Sequence, residues 1–219
     1  MNPIMKKSYL SVAGLLVAGG CVAGPAMAAP AAPAGTAPVA SPHTDKGGRA
    51  DKRAERMVGI EYQAQPNFYY CGPAATRMAL SAQGKALSQD EVAKRLGTTE
   101  AGTDSALDTT RVLNELTGGR YKTTEIPGPV AKPEEIDRLR ADVLAALDAG
   151  RPVVANVKGT AVDTDGSPHS YEGGHYLTLV GYRDGADLIR VADPASPVAE
   201  YWMTLEKVAN WIAERGYSS

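Results

Sequence analysis

Cys71 stands directly before Gly72-Pro73. Pro is favoured in the first turn of a helix, so the spacing predicts a helix that begins just after the thiol. A cysteine at a helix entrance meets free backbone N–H groups and the positive end of the helix dipole, and both favour the thiolate, the reactive form. Gln65 lies six residues upstream. From there its side-chain amide can aim at the same point as the Cys71 backbone N–H, and two such donors make an oxyanion hole. A thiol nucleophile also needs a base, and the histidines are His43, His169 and His175. His43 sits in an Ala/Pro-rich stretch, and His169 sits in a polar Ser-Pro-His-Ser run read as a loop. His175 follows Gly173-Gly174 and heads the apolar run Tyr176 to Val180, which is the rigid setting a base requires.

The third group follows from hairpin geometry. With Arg183-Asp184-Gly185 as a three-residue loop, Tyr182 faces Ala186 and His175 faces Asp193. Residues directly opposite share a face, with Cβ atoms about 5 Å apart. A two-residue Asp184-Gly185 loop would put the two side chains on opposite faces. Asp193 also shares its face with Ile189 and Val191, and an acid on an apolar face needs a partner. Paired with His175, it would hold the imidazole tautomer and stabilise the imidazolium. Each residue also has a reading without chemistry. Cys71 is then a small buried hydrophobe, Gln65 a polar loop residue, His175 a structural histidine and Asp193 an Asp-Pro strand terminator.

The elements that must position these groups are legible in outline. Val58 to Tyr62 reads as a short strand, and Ala74 to Ala82 as the helix behind Cys71. Ser88-Gln89-Asp90-Glu91 is a capping box opening a helix to Leu96. Ala106 to Thr117 is helical by the spacing of Leu107, Val112, Leu113 and Leu116, and Gly118-Gly119 stops it. Pro133 to Ala149 carries an apolar stripe of Ile136, Leu139, Val143, Leu144 and Leu147, with charges on its other face. Strands are expected over Val153 to Val157, His175 to Tyr182, Leu188 to Asp193 and Glu200 to Met203, followed by a helix from Leu205 to Arg215. Helices first and an antiparallel sheet second is an α+β layout.

Composition narrows the field. Of 219 residues, 43% are hydrophobic and 22% charged, an ordinary globular mix, and the net charge is −2. That balance gives no basic surface for nucleic acid. Two cysteines exclude a disulfide scaffold or a four-Cys zinc site. No cofactor or metal is expected. Asp163-Thr164-Asp165-Gly166 hints at calcium but lacks the further oxygen ligands an EF-hand loop needs.

Residues 1–28 read as a secretory signal peptide. Lys6 and Lys7 form the charged start, Val12 to Val22 the short apolar stretch, and Ala26-Met27-Ala28 the cleavage site. Secretion is therefore expected, with no transmembrane segment in the mature chain. A lipoprotein signal with Cys21 lipidated is disfavoured, because Ala18-Gly19-Gly20 lacks a large aliphatic residue. Cleavage would leave Cys71 as the single cysteine. Residues 29–57 are expected to be an Ala/Pro-rich disordered linker or pro-segment, and residues 58–219 the folded domain.

Three stretches together resemble papain-like cysteine peptidases, and most closely the bacteriocin-processing cysteine-peptidase family 39 with its secreted relatives. They are Gln65-Pro66-Asn67-Phe68-Tyr69-Tyr70-Cys71-Gly72-Pro73-Ala74-Ala75, Gly174-His175-Tyr176 and Ala192-Asp193-Pro194. The resemblance spans about Val58 to Trp211 and implies a papain-like fold and metal-free hydrolysis of a peptide or protein substrate. It also implies that Cys71, His175, Asp193 and Gln65 are the catalytic set. The bacteriocin processors cut after a double glycine and are fused to transporters. No transporter spans or ATP-binding loop occur here, so that specificity is not carried over. Acyl transfer or amide hydrolysis on the same site, and a catalytically silent secreted module binding peptide or cell wall, are the alternatives left open. The oligomeric state is not legible.

Overall fold

The computed structural model describes residues 55–219; the signal-peptide reading and the linker reading up to residue 54, with Cys21 and His43, lie outside them, whereas Arg56–Met57, expected in the linker, form a strand paired with Gly181 and Tyr182. Five helices and seven strands follow one another in an α+β order. The strands are β1 (Arg56–Met57), β2 (Thr123–Ile126), β3 (Val153–Val162), β4 (Pro168–Arg183), β5 (Leu188–Ala192), β6 (Glu200–Thr204) and β7 (Arg215–Ser218). The helices are α1 (Cys71–Ser81), α2 (Gln89–Leu96), α3 (Ala106–Thr117), α4 (Pro133–Asp148) and α5 (Leu205–Ile212). All strands join one antiparallel sheet in the order β2-β7-β3-β4-β5-β6, with β1 added alongside β4.

The helix signals act as their chemistry dictates. Ser88 accepts from the Glu91 N–H while the Glu91 side chain accepts from the Ser88 N–H, a complete capping box. Gly118, in the left-handed conformation, closes α3. The pleat sorts the sheet's side chains. Val153, Ala155 and Val157 of β3 and Leu177 and Leu179 of β4 join a core with α4 and α5. Val154 and Tyr176 point the other way and join a core with α1, α2 and α3. The sheet thus lies between two helical groups, each burying one of its faces.

Several boundaries differ from the sequence reading. Helix α1 begins at Cys71 itself, so the thiol is inside the first turn. The N-terminal strand is Arg56–Met57, not Val58 to Tyr62; only the Val58 N–H continues the pairing, donating to the Val180 carbonyl at 2.8 Å. The last helix stops at Ile212, and Glu214 turns the chain at positive φ into β7. Within β7, Gly216 lets β2 lie close alongside, because a Cβ there would meet the Thr124 carbonyl oxygen at 2.9 Å. Strand β4 runs from Pro168, so His169 is a buried strand residue and not part of a loop.

The β4–β5 register also differs. The hairpin loop spans four residues, Asp184 to Asp187, and Arg183 pairs with Leu188. Continued unbroken, that register would place His175 and Asp193 on opposite faces. A β-bulge at Val180 inserts one residue into β4, and beyond it Leu179 pairs with Val191 and Thr178 with Ala192. The bulge restores the shared face. Asp193 then lies at the level of Leu177, and His175 is its diagonal neighbour rather than its direct partner.

Gly181, next to the bulge, is where β1 lies closest: a Cβ there would meet the Arg56 carbonyl oxygen at 2.8 Å and the Met57 sulfur. Gly181→Ala should therefore lower the urea midpoint, by about 1–3 kcal/mol of stability, with the m-value unchanged. An unaltered midpoint would mean that β1 is not packed as described.

Candidate active site

Cys71 is the first residue of α1 and is 8% exposed. Its backbone N–H donates to no acceptor among the described residues, whereas the Ala74 N–H already closes onto the Tyr70 carbonyl. Pro73 between them has no N–H to satisfy. The helix is pressed against the Thr98–Thr103 turn: a Cβ on Gly72 would collide with the Thr103 side chain, which fixes Gly at that position.

His175 lies within β4, just after a second irregularity. Val157 pairs with His175 but Gly159 pairs with Tyr171, so Glu172-Gly173-Gly174 bulge out against Lys158 alone. Gly174 has φ +96, a conformation that favours glycine. The bulge brings Tyr171 alongside His175, with the two rings stacked at 3.8 Å between centroids.

Asp193 is fully buried just beyond β5. Its Oδ1 accepts from His175 Nε2 at 2.8 Å and from the Ala195 N–H at 2.9 Å. Its Oδ2 accepts from the Tyr171 hydroxyl at 2.9 Å and the Tyr201 hydroxyl at 2.8 Å. The Tyr62 hydroxyl donates to its backbone carbonyl at 3.1 Å. With Nε2 committed to Asp193, the remaining ring nitrogen of His175, Nδ1, is the one left for Cys71.

The charges follow from this chain of contacts. Burial alone would push the His175 imidazole down, but Asp193 and Cys71 outweigh it and raise it to about 9. Burial alone would push the Cys71 thiol up. The His175 imidazole, with the backbone N–H groups of Tyr176 and Gly72, holds it below its ordinary value. Burial likewise opposes Asp193, and the donors around it hold it below the usual carboxylate range. The arrangement favours thiolate beside imidazolium, titrating as a pair.

Gln65 stands on the same approach. Its backbone N–H donates to the Pro194 carbonyl at 3.0 Å, tying the segment before Cys71 to the residue after Asp193. Its side-chain Nε2 donates to the Asn67 carbonyl at 2.7 Å, which occupies one of its two amide hydrogens. Its Oε1 is buried without a partner. The structure therefore brings Cys71, His175 and Asp193 together, and holds Gln65 beside them through its backbone.

A cleft of about 430 Å³ opens from Cys71, lined among others by Phe68, Tyr69, Thr103, Gly174 and Arg215. Phe68 is 82% exposed on its rim. Asp163, read for a calcium hint, spends its carboxylate on the Asp165 and Ser167 N–H groups and on His169.

A family model described as peptidase C39-like matches residues 57–219. The chain belongs to the peptidase C39-like family. It is accordingly a cysteine-type peptidase, with a papain-like α+β fold. A Bacillus anthracis protein described as C39-like superposes with a TM-score of 0.52 at 14% identity, covering 74% of this chain and 96% of that one. At that identity the likeness concerns the fold. A double-glycine-motif protease from an AMS/PCAT transporter, solved with its leader peptide, gives 0.47 at 14% identity, covering 74% and 91%. The peptidase domain of Streptococcus ComA, a bifunctional ABC transporter of a quorum-sensing pathway, gives 0.47 at 16% identity, covering 72% and 96%. No curated protein matches.

Sequence reasoning missed Tyr171 and Tyr201 in this C39-like site. The signal available was Asp193 itself: a carboxylate accepts about four hydrogen bonds, and one histidine cannot satisfy a buried one. Removing the charge tests the electrostatics. In Asp193→Asn the His175 imidazole should titrate clearly below 9, with only Cys71 left to oppose its burial, followed by NMR of the ring. An imidazole still titrating near 9 in the variant would remove Asp193 as the cause.

Proposed function

We propose that this cysteine peptidase hydrolyses peptide bonds with Cys71 as nucleophile, His175 as general base and acid, and Asp193 as the group that orients His175. The observation that carries the reading is the His175–Asp193 hydrogen bond of 2.8 Å, which leaves the opposite ring nitrogen for a thiol at a helix N-terminus. The Cys71 sulfur attacks the scissile carbonyl carbon, and the carbonyl oxygen becomes an oxyanion. The unpaired Cys71 N–H and the second amide hydrogen of Gln65 stabilise it. His175 gives its proton to the leaving amine, and the C–N bond breaks to leave a thioester. Water then attacks the thioester while His175 takes its proton, and the C–S bond breaks to release the acid and restore the Cys71 thiolate beside the imidazolium.

The substrate is a peptide or protein segment laid in the cleft beside Cys71. Nothing in the C39-like assignment requires cleavage after a double glycine. The signal-like residues 1–28 support export, and with it a reaction outside the cytoplasm. No helix of the described residues is long and apolar enough to cross a membrane.

A dye-labelled peptide library tests the nucleophile. Cys71→Ala should lose turnover by at least about 10³-fold while its thermal midpoint stays close to that of the parent. Residual cleavage within tenfold of the parent would assign the nucleophile elsewhere.

A further inference from the structure

A second buried His–Asp pair lies outside the catalytic set. His169 Nε2 is 3.0 Å from Asp163 Oδ2, and both side chains are almost wholly buried. His169 and Tyr171 lie on the same face of β4, two residues apart. The His169 ring is stacked on Tyr201 at 3.7 Å between centroids, with an interplanar angle of 18°. Trp211 of α5 packs against both His169, at 6.3 Å, and Tyr171, at 5.8 Å. Tyr171 in turn is stacked on His175. The two tyrosines reach the same atom from different strands, since both hydroxyls donate to Asp193 Oδ2. The result is a closed circuit. Asp193 connects to Tyr201, Tyr201 to His169, His169 through Trp211 to Tyr171, and Tyr171 back to Asp193 and onto the His175 ring.

This circuit exceeds what holding the sheet together requires. The apolar face of β3, β4 and β5 is already covered by α4 and α5. A fully buried carboxylate and a second buried, hydrogen-bonded His–Asp pair are costly where Leu or Val would pack. Their common product is geometric. Two donors on Oδ2 fix the plane of the Asp193 carboxylate, which directs Oδ1 at His175 Nε2. The Tyr171 face fixes the plane of the imidazole from above.

We propose that Tyr171 and Tyr201 are positioning residues of this peptidase, and that the His169–Asp163 pair acts through Tyr201 to hold Asp193 in line with His175. The inference rests on the Cys71–His175–Asp193 reading above. The groups facing His169 are Asp163, Tyr201 and Trp211; Tyr201 reaches Asp193 directly through its hydroxyl, and Trp211 reaches the catalytic set only by way of Tyr171. Without the two hydroxyls, Oδ2 of a fully buried carboxylate has no partner, and the neutral acid gains ground. A neutral Asp193 no longer supports the imidazolium, so the thiolate loses its counter-charge.

Alkylation of Cys71 by iodoacetamide across pH reads this without needing the natural substrate. The variants are Tyr171→Phe with Tyr201→Phe, Tyr201→Phe alone, and His169→Ala. Tyr217→Phe is the control: its ring is buried and its hydroxyl donates to Asp142 Oδ2 at 2.7 Å, outside the circuit. The double variant should move the thiolate limb up by about one pH unit, a tenfold slower reaction on the acid side. Tyr201→Phe and His169→Ala should move it in the same direction by less, and Tyr217→Phe should lower the thermal midpoint without moving the limb. A double variant whose limb stays in place, or a control that shifts it as far, overturns the positioning role. If His175→Ala also leaves the parent's limb unmoved, the triad reading itself has failed; if His175→Ala moves it and the tyrosine variants do not, only this inference has.

Discussion

Asp193 carries its carboxylate with no exposed surface, and the second half of the fold is arranged around that constraint. A buried charge costs several kcal/mol unless its lone pairs are filled. Here four donors fill them: an imidazole and a phenol from β4, a phenol from β6 and a backbone N–H from the turn after β5. Each donor needs a separate structural device. The Val180 bulge sets the face that Asp193 shares with His175, and the Glu172-Gly173-Gly174 bulge moves Tyr171 beside the imidazole. The Asp193 N–H is itself tied back to the Ala199 carbonyl at 2.8 Å, which closes the turn between β5 and β6.

From Asp193 the effect passes outward by charge. The carboxylate holds a proton on His175, and the imidazolium draws the proton from Cys71 against the burial that opposes both. The helix end adds to the same polarity, because α1 opens at the thiol with no acidic residue in its first turn. Sign and window follow directly. The thiolate–imidazolium pair exists above the lowered thiol value and is lost as pH rises through about 9, where His175 gives up its proton. In the proposed reaction the cleft then supplies alignment and oxyanion donors to a thiol already biased toward its ionised form.

Much of this was legible in the sequence, and the parts that were not have physical reasons. Local signals worked where one residue decides the conformation, as with the Ser88–Glu91 capping box and Gly118 at the end of α3. Asp193 was matched to His175 through a hairpin that does not exist in that form. A three-residue loop was expected, whereas a four-residue loop and a bulge occur, and two odd shifts restore the parity that one direct register would have had. Alternation can read parity but cannot see a bulge whose residues, Val180 and Gly181, look like ordinary strand. His169 was read as a loop residue because Ser, Pro and Gly surround it; its burial depends on Asp163 and Tyr201, which lie on other segments. Strand β7 escaped because Arg215-Gly216-Tyr217-Ser218 has no apolar run, and only pairing with β2 and β3 defines it. The Gln65 amide was placed near the thiol from spacing alone, and its bond to the Asn67 carbonyl is a matter of local loop geometry.

The central claim is an ionised Cys71 maintained by His175. The rate of Cys71 alkylation by iodoacetamide against pH, in the parent and in His175→Ala, tests it most directly. The account predicts a parent limb below the ordinary thiol value of about 8.5 and a limb in the variant shifted upward from it, because burial is then opposed only by backbone N–H groups. An inert thiol, or the same limb in both proteins, would contradict it.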